Sequence, residues 1–472
     1  MKFLYTPLLL AIALVFSGVL AGCDSSTLTA VDDALSEQPI TAKAGAETES
    51  YTGSYTGSYL FLLKGKKLDA FTDAVADAGG RVIFAHDKVG FAFASGLSGS
   101  AASQLGARSD VAEMTADASF SLDLPFDPET AEMSVQSPDA PANAFFYPRQ
   151  WHFPAIEADK AWAAGFLGSE DVTVAILDTG IDYENPDLAG RVDLSRSVSF
   201  LPEEDELVRL FFPGKNVITD LQYHGTHVAA TVASNGFVGA GLTSKTTLTG
   251  IRVCRVDRSC SFGAIISGVL FAADTGADVA NLSLGGAFSK AGNGRFVGFI
   301  NKVFNYAKSK KMTVVVSAGN SASDLDANGN VYSTYCDAPN TICVSATGPT
   351  GFDTLNGPFF EVDAPAPYTN FGRSAINVAA PGGSALPVWA ACSQTSVVIP
   401  ACQTGAFILG LSGTSMAAPH VSGVAALLVA EYGRNPGRIK TAIQNAADDL
   451  GEPGTDKFYG KGRLNVATAV GL

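Results

Sequence analysis

Hydrophobic positions fall into two rhythms that alternate along most of the chain. Short runs at residues 172–177, 247–253, 279–283, 313–317, 341–345 and 376–380 are rich in Val and Ile and apolar at most positions. Strands buried on both faces read this way. Longer stretches at 224–233, 264–273, 296–308 and 415–432 separate them and have the length of helices. The alternation predicts an α/β fold, a parallel sheet with helices on both faces. The last helix is expected to begin at or near Ser415 and to stop at Gly433, a residue that tolerates a left-handed backbone. Pro419 is expected in its first turn, where a missing N–H costs nothing.

Upstream the pattern changes. Residues 59–63 read as a strand, and Leu68, Phe71, Val75 and Ala78 share one helical face that ends at Gly79-Gly80. Residues 82–85 and 90–94 alternate as paired strands, 101–105 suggest a second helix, and 111–116 a last strand. The order βαββαβ predicts a small α+β, ferredoxin-like domain over residues 58–122. Residues 123–147 contain Pro125, Pro128, Pro138 and Pro141 among acids, and predict an extended, accessible linker. The large domain then spans 148–472. At the other end, residues 1–22 carry Lys2 followed by an apolar stretch too short to span a membrane. This segment ends in Leu20-Ala21-Gly22-Cys23 and resembles a bacterial lipoprotein signal, which implies lipidation of Cys23. Residues 23–57, rich in Ser, Thr and acids, are expected to be a flexible tether. The repeated Tyr51-Thr52-Gly53-Ser54 and Tyr55-Thr56-Gly57-Ser58 read as part of it.

Three stretches of the large domain carry candidate chemistry. In Gly413-Thr414-Ser415-Met416-Ala417-Ala418-Pro419-His420, small residues crowd a serine at a helix start, where unpaired N–H groups suit a developing oxyanion. Asp178 follows the apolar run 172–177 in Asp178-Thr179-Gly180-Ile181-Asp182, at the strand end where open α/β sheets place their sites. His224 opens His224-Gly225-Thr226-His227-Val228-Ala229-Ala230. Together Ser415, His224 and Asp178 make a nucleophile, a general base and a group that orients the base.

These motifs, in the order Asp, His, Ser, resemble the subtilases, the subtilisin-like serine peptidases. Ser317-Ala318-Gly319-Asn320 is a fourth match. The resemblance implies that Asn320 helps hold the oxyanion, and that Ser283, Leu284, Gly285, Ala318 and Gly319 line the substrate cleft. Extended polypeptides are then the substrates, bound as an added strand. The small domain resembles the propeptide that precedes many subtilases, which implies a zymogen with its own intramolecular inhibitor. A structural calcium ion is common in the family. Asp187 and Asn235 match its carboxylate and amide ligands, and no cofactor is implied for catalysis. The alternative is a catalytically inactive relative serving as a surface binding module. Such a protein would be expected to lack at least one of Asp178, His224, Asn320 and Ser415, and all four are present.

Charge and cysteines sharpen the picture. A net charge of −15 argues against nucleic acid as a partner and for a soluble, self-repelling monomer. Setting Cys23 apart from the seven cysteines leaves six, which with an export signal suggests disulfides. Sequence leaves fifteen connectivities open. The local pairs Cys254-Cys260, Cys336-Cys343 and Cys392-Cys402 are expected, because each joins the ends of one loop. His224 and His227 stand three apart, but the Glu of a His-Glu-x-x-His zinc motif is missing, so His227 reads as structural. The expected location is the cell envelope, with a lipid-anchored precursor that is released after processing.

Overall fold

The computed structural model describes residues 54–65, 68–132, 140–405 and 407–472. The signal segment, Cys23 and nearly all of the expected tether lie outside them. Among the described residues no helix is long and apolar enough to cross a membrane.

The first unit is built from β1 (Ser54–Leu63), α1 (Leu68–Asp77), β2 (Arg81–His86), β3 (Phe91–Ser95), α2 (Gly99–Gly106) and β4 (Val111–Ser121). The βαββαβ order expected from the pattern is present. The strands form an antiparallel sheet in the order β2-β3-β1-β4. Phe71 and Val75, one helical turn apart on α1, bury against Phe61, Ala92 and Ala94 of the sheet. Ser98 caps α2 by accepting a hydrogen bond from the Ala101 N–H. The Tyr-Thr-Gly-Ser repeat differs from expectation, since β1 already begins at Ser54. The register shifts between Ser54 and Tyr59, and Gly57, at φ +96°, has the freedom this irregularity needs.

After β4 comes β5 (Glu129–Glu132), inside the stretch expected to be a linker. The large domain then runs β6 (Thr173–Asp178), β7 (Val198–Ser199), α3 (Pro202–Phe211), α4 (His224–Val232), β8 (Thr247–Arg252), β9 (Ser259–Ser261), α5 (Phe262–Asp274), β10 (Val279–Leu282), β11 (Gly286–Ser289), α6 (Gly294–Ser309), β12 (Thr313–Ser317), β13 (Val331–Thr334), β14 (Thr341–Thr347), β15 (Gly351–Phe352), β16 (Phe359–Phe360), β17 (Val378–Pro381), β18 (Val388–Ala391), β19 (Phe407–Leu411), α7 (Thr414–Tyr432) and α8 (Pro436–Ala446).

Seven strands form a parallel sheet in the order β17-β14-β12-β10-β6-β8-β7. Side chains alternate between its two faces, and the core follows that period. On β6, Val174 and Ile176 join a core shared with α4, α7 and α8, while Ala175 and Leu177 join one shared with α5 and α6. The same split separates Val315 from Val314 and Val316 on β12. This two-sided burial is why the strands are apolar at most positions rather than at alternate ones. α7 is buried over nearly its whole length, and it ends at Gly433 with φ +64°.

One expectation is corrected. Pro419 sits inside α7, beyond the first turn. Its missing N–H leaves the Ser415 carbonyl without a helical donor, and the Ser283 hydroxyl donates to it instead at 2.6 Å. The acidic stretch Glu203-Glu204-Asp205-Glu206, for which the hydrophobic pattern predicts no element, lies in α3. Glu203, Glu204 and Asp205 in its first turn favour the positive end of the helix dipole.

All three local disulfides form: Cys254 with Cys260, Cys336 with Cys343 and Cys392 with Cys402. In the chain-entropy picture, loops this short contribute about 2–3 kcal/mol each. β5 pairs antiparallel with β19 in a three-stranded sheet β18-β19-β5. β4 runs on past the small sheet, and Ser119, Phe120 and Ser121 pair with Ser261, Cys260 and Ser259 of β9.

Candidate active site

The four motifs converge at the carboxyl end of the parallel sheet. Asp178 is the last residue of β6 and His224 the first of α4. Their side chains are fully buried, and His224 Nδ1 lies 2.8 Å from Asp178 Oδ1. The carboxylate also accepts the Thr179 N–H at 2.8 Å. With a carboxylate at Nδ1, that nitrogen carries the proton and Nε2 is left as the base. His224 Nε2 is buried and has no hydrogen-bond partner among the described residues. Gly225 explains the small residue after the histidine. A Cβ there would stand 2.1 Å from the Gly180 carbonyl and 3.0 Å from the Asp178 Cβ, so only glycine lets the two motifs meet.

Ser415 is the second residue of α7. Its Oγ donates to the Ser283 carbonyl at 2.9 Å rather than to His224. Ser283 is therefore bonded to the serine through both its hydroxyl and its carbonyl. Asn281, buried on β10, orients that hydroxyl by donating to it at 2.9 Å, and itself accepts from Ser422. Leu284 is buried next to it. A Cβ on Gly285 would stand 2.4 Å from the Thr334 carbonyl.

Asn320 follows β12. Its Oδ1 accepts both the N–H and the hydroxyl of Thr414, each at 2.9 Å. The amide is thereby fixed with its donor facing the cleft, where Nδ2 donates to the Asp123 carbonyl at 2.6 Å. Gly319 donates to Thr414 Oγ1 and has φ +98°. Ala318 gives its carbonyl to the Asn370 amide at 2.9 Å.

Sequence reasoning missed Asp220, Asn370 and Asn281. Asp220 is buried and holds Thr179, Thr226 and the Gln222 N–H, tying the aspartate loop to the histidine helix. Burial raises its carboxyl, and the hydrogen bonds from Thr226 and Thr179 oppose the rise. Its one signal was an acid four residues before His224, which the helix dipole would favour. Asn370 accepts the N–H groups of Ser321 and Ser323 and so shapes the turn after Asn320.

The remaining histidines are structural. His227 Nε2 faces the carbonyls of Val388 and Leu409, and burial lowers its imidazole to about 3. His420 Nδ1 donates to the Met416 carbonyl, so its Nε2 accepts from His152 at 2.9 Å.

Asp187 and Asn235 were the expected calcium ligands. Both Asp187 carboxylate oxygens accept backbone N–H groups, from Val238 at 2.9 Å and Gly239 at 3.0 Å. Asn235 turns its oxygen to the Arg191 guanidinium at 2.8 Å and donates to the carbonyls of Pro186 and Ala189. A cation already faces the amide oxygen, and N–H donors rather than carbonyls surround the acid. This arrangement does not fit a calcium ion.

Residues 169–462 match the Subtilase family. The chain is 31% identical over 333 residues to thermitase of Thermoactinomyces vulgaris, covering 70% of this chain and 99% of thermitase. It is 31% identical over 319 residues to subtilisin DY of Bacillus licheniformis, covering 67% and 96%. In fold it is similar to the epidermin leader peptide processing serine protease EpiP of Staphylococcus aureus, with a TM-score of 0.66 over 89% of this chain and 99% of that one, at 20% identity. The chain belongs to the subtilase family and is a serine-type endopeptidase.

Proposed function

We propose that the chain is an exported endopeptidase, made as a zymogen, in which Asp178, His224 and Ser415 act as a triad and Asn320 as an oxyanion donor. The observation that carries this reading is the buried 2.8 Å bond between His224 and Asp178, with Nε2 left without a partner among the described residues. In the reaction, Ser415 Oγ leaves the Ser283 carbonyl and adds to the substrate carbonyl while Nε2 takes its proton. Asp178 stabilises the imidazolium, and the Asn320 amide, already locked by Thr414, bonds the developing oxyanion. His224 then protonates the leaving amine, and water repeats the sequence to free Ser415.

Polypeptides are the substrates. Ser283, Leu284, Gly285, Ala318 and Gly319 form the walls that receive them. The domain at 58–122 acts as the intramolecular inhibitor, and its last strand lying along β9 supports that role. Export is supported by the three disulfides and by the signal-like residues 1–22. Cys23 carries the lipid that anchors the precursor, and processing releases a monomeric enzyme. No step uses a metal ion.

The test is Ser415→Ala, which removes the hydroxyl and keeps the small helix start. Casein hydrolysis and labelling by a serine-reactive fluorophosphonate should both disappear while the circular dichroism spectrum stays unchanged. A folded wild-type protein that neither labels nor hydrolyses would instead support an inactive binding module.

A further inference from the structure

The segment that joins the small domain to the large one lies in the catalytic cleft. We propose that the enzyme's first substrate is its own chain and that the bond cut is the Asp123-Leu124 peptide bond. The inference rests on the peptidase reading above and narrows the self-cleavage it implies to one bond.

Contacts on both sides of Asp123 set the register. Asn320 Nδ2 donates to the Asp123 carbonyl at 2.6 Å, so this carbonyl and no other occupies the place of the developing oxyanion. On the amino side, Phe120 lies opposite Cys260 and Ser121 opposite Ser259, and the Leu122 N–H then donates to the Arg258 carbonyl at 2.8 Å. On the carboxyl side, Pro125 Cδ lies 3.6 Å from where a Cβ on Gly413 would stand, so the chain crosses the head of α7 directly after Asp123. Farther on, the Phe126 ring meets Tyr368 edge-on at 5.9 Å.

Side chains hold the same register. Phe120 and Leu122 are buried, whereas Ser121 and Asp123 are exposed. Phe120 packs edge-on against Phe262, with ring centroids 5.3 Å apart. It also fills the space over Gly286, where an added Cβ would stand 2.9 Å from the Phe120 Cβ. Because strand side chains alternate, a slip of one residue would turn Phe120 and Leu122 out to water and bring a serine to the aromatic pocket. The cleft thus recognises an extended peptide with an aromatic residue three positions before the one whose carbonyl is attacked.

The step balances as hydrolysis. Ser415 Oγ bonds the Asp123 carbonyl carbon and its proton passes to His224. The bond to Leu124 N breaks, with the proton delivered to that nitrogen. Water then cleaves the ester, leaving Asp123 as a new carboxyl terminus and Leu124 as a new amino terminus.

The test follows full-length wild-type chain by intact-mass spectrometry as it matures, with casein hydrolysis measured in parallel. The first fragments should end at Asp123 and begin at Leu124. Leu124→Pro should remove that pair and delay casein activity at least about tenfold, since proline blocks the attacked bond without touching the triad. Phe120→Ala should slow the same cut about tenfold, and Gly286→Ala should do likewise by crowding Phe120. A first cut at another bond in an active wild type, or a Leu124→Pro protein that matures normally, would overturn the assignment and leave the peptidase standing. A wild type that cuts neither itself nor casein would overturn the peptidase reading and the inference with it.

Discussion

The chain crosses its own cleft between two added strands, and the two are held very differently. On the amino side β4 lies on β9 with Phe120 and Leu122 buried, and Asp117 is buried behind them. The Asp117 carboxylate accepts the Ser261 hydroxyl at 2.6 Å and the Gly263 N–H at 2.9 Å, which completes the cap of α5. On the carboxyl side β5 lies on β19 through backbone pairing, with Glu129 and Thr130 exposed. Burial of one Phe and one Leu is worth about 1.5–3 kcal/mol each, and a cap about 1 kcal/mol. The amino side is therefore the tight one, and the carboxyl side is the one freer to leave.

The largest effect that sharpens this contrast lies between the two strands. Asn320→Ala should lower kcat about 10²–10³-fold for casein with little change in KM, because the amide bonds the oxyanion more strongly than the ground-state carbonyl. It should not alter which flank stays bound after the cut, since it removes one hydrogen bond to the Asp123 carbonyl and leaves the buried Phe120 and Leu122 in place. Steady-state kinetics check the first statement and size-exclusion chromatography of the products the second.

A smaller effect falls on the amino flank. Burial pushes the docked Asp117 carboxyl up to about 6 from its ordinary 3.8, against the hydrogen bonds from Ser261 and Gly263 and the nearby charge of Arg255, with Glu203 adding to the rise. A raised carboxyl takes up a proton on docking, so this group favours docking most below about pH 4 and least once the pH has passed 6. A rise of that size weakens docking by up to about a hundredfold between pH 4 and pH 7. Asp117→Asn should flatten this dependence. Size-exclusion chromatography of the cut complex at several pH values reads it without relying on activity.

The smallest effect is expected on the carboxyl flank. Thr130→Pro with Ala131→Pro removes two backbone donors at the middle of β5. The rate of the first cut should change less than about threefold, because the register is set from the other side. A larger loss would show that β5 positions the bond as strongly as β4.

What could be read in advance follows from how each feature is written in the chain. The parallel sheet was legible because two-sided burial makes runs such as Val174–Leu177, within β6, apolar at successive positions. The meeting of the aspartate and histidine motifs was legible because close approach demands glycine, as at Gly225 beside Gly180. Asp220 and Asn370 were not, because a buried acid or amide shows itself only once its partners from distant segments arrive. Pro419 misled because its compensation, the Ser283 hydroxyl, lies 136 positions away in the chain. The stretch 123–132 was read as an extended linker from its prolines and acids. Extended it is, but an added strand is gripped through its backbone, and backbone pairing leaves almost no mark on the sequence.

Under the zymogen reading proposed above, the occupied cleft also decides how latency depends on amount. Before the cut, inhibitor and enzyme share one chain, and their mutual concentration is fixed at roughly the millimolar level of a tethered pair, however dilute the sample. After the cut, the segment ending at Asp123 competes by ordinary mass action. Latency that no dilution could relieve becomes latency that dilution relieves. On that reading, a crowded population of cut molecules held by the proposed lipid anchor stays largely silent, and the same molecules become active as they spread into a larger volume.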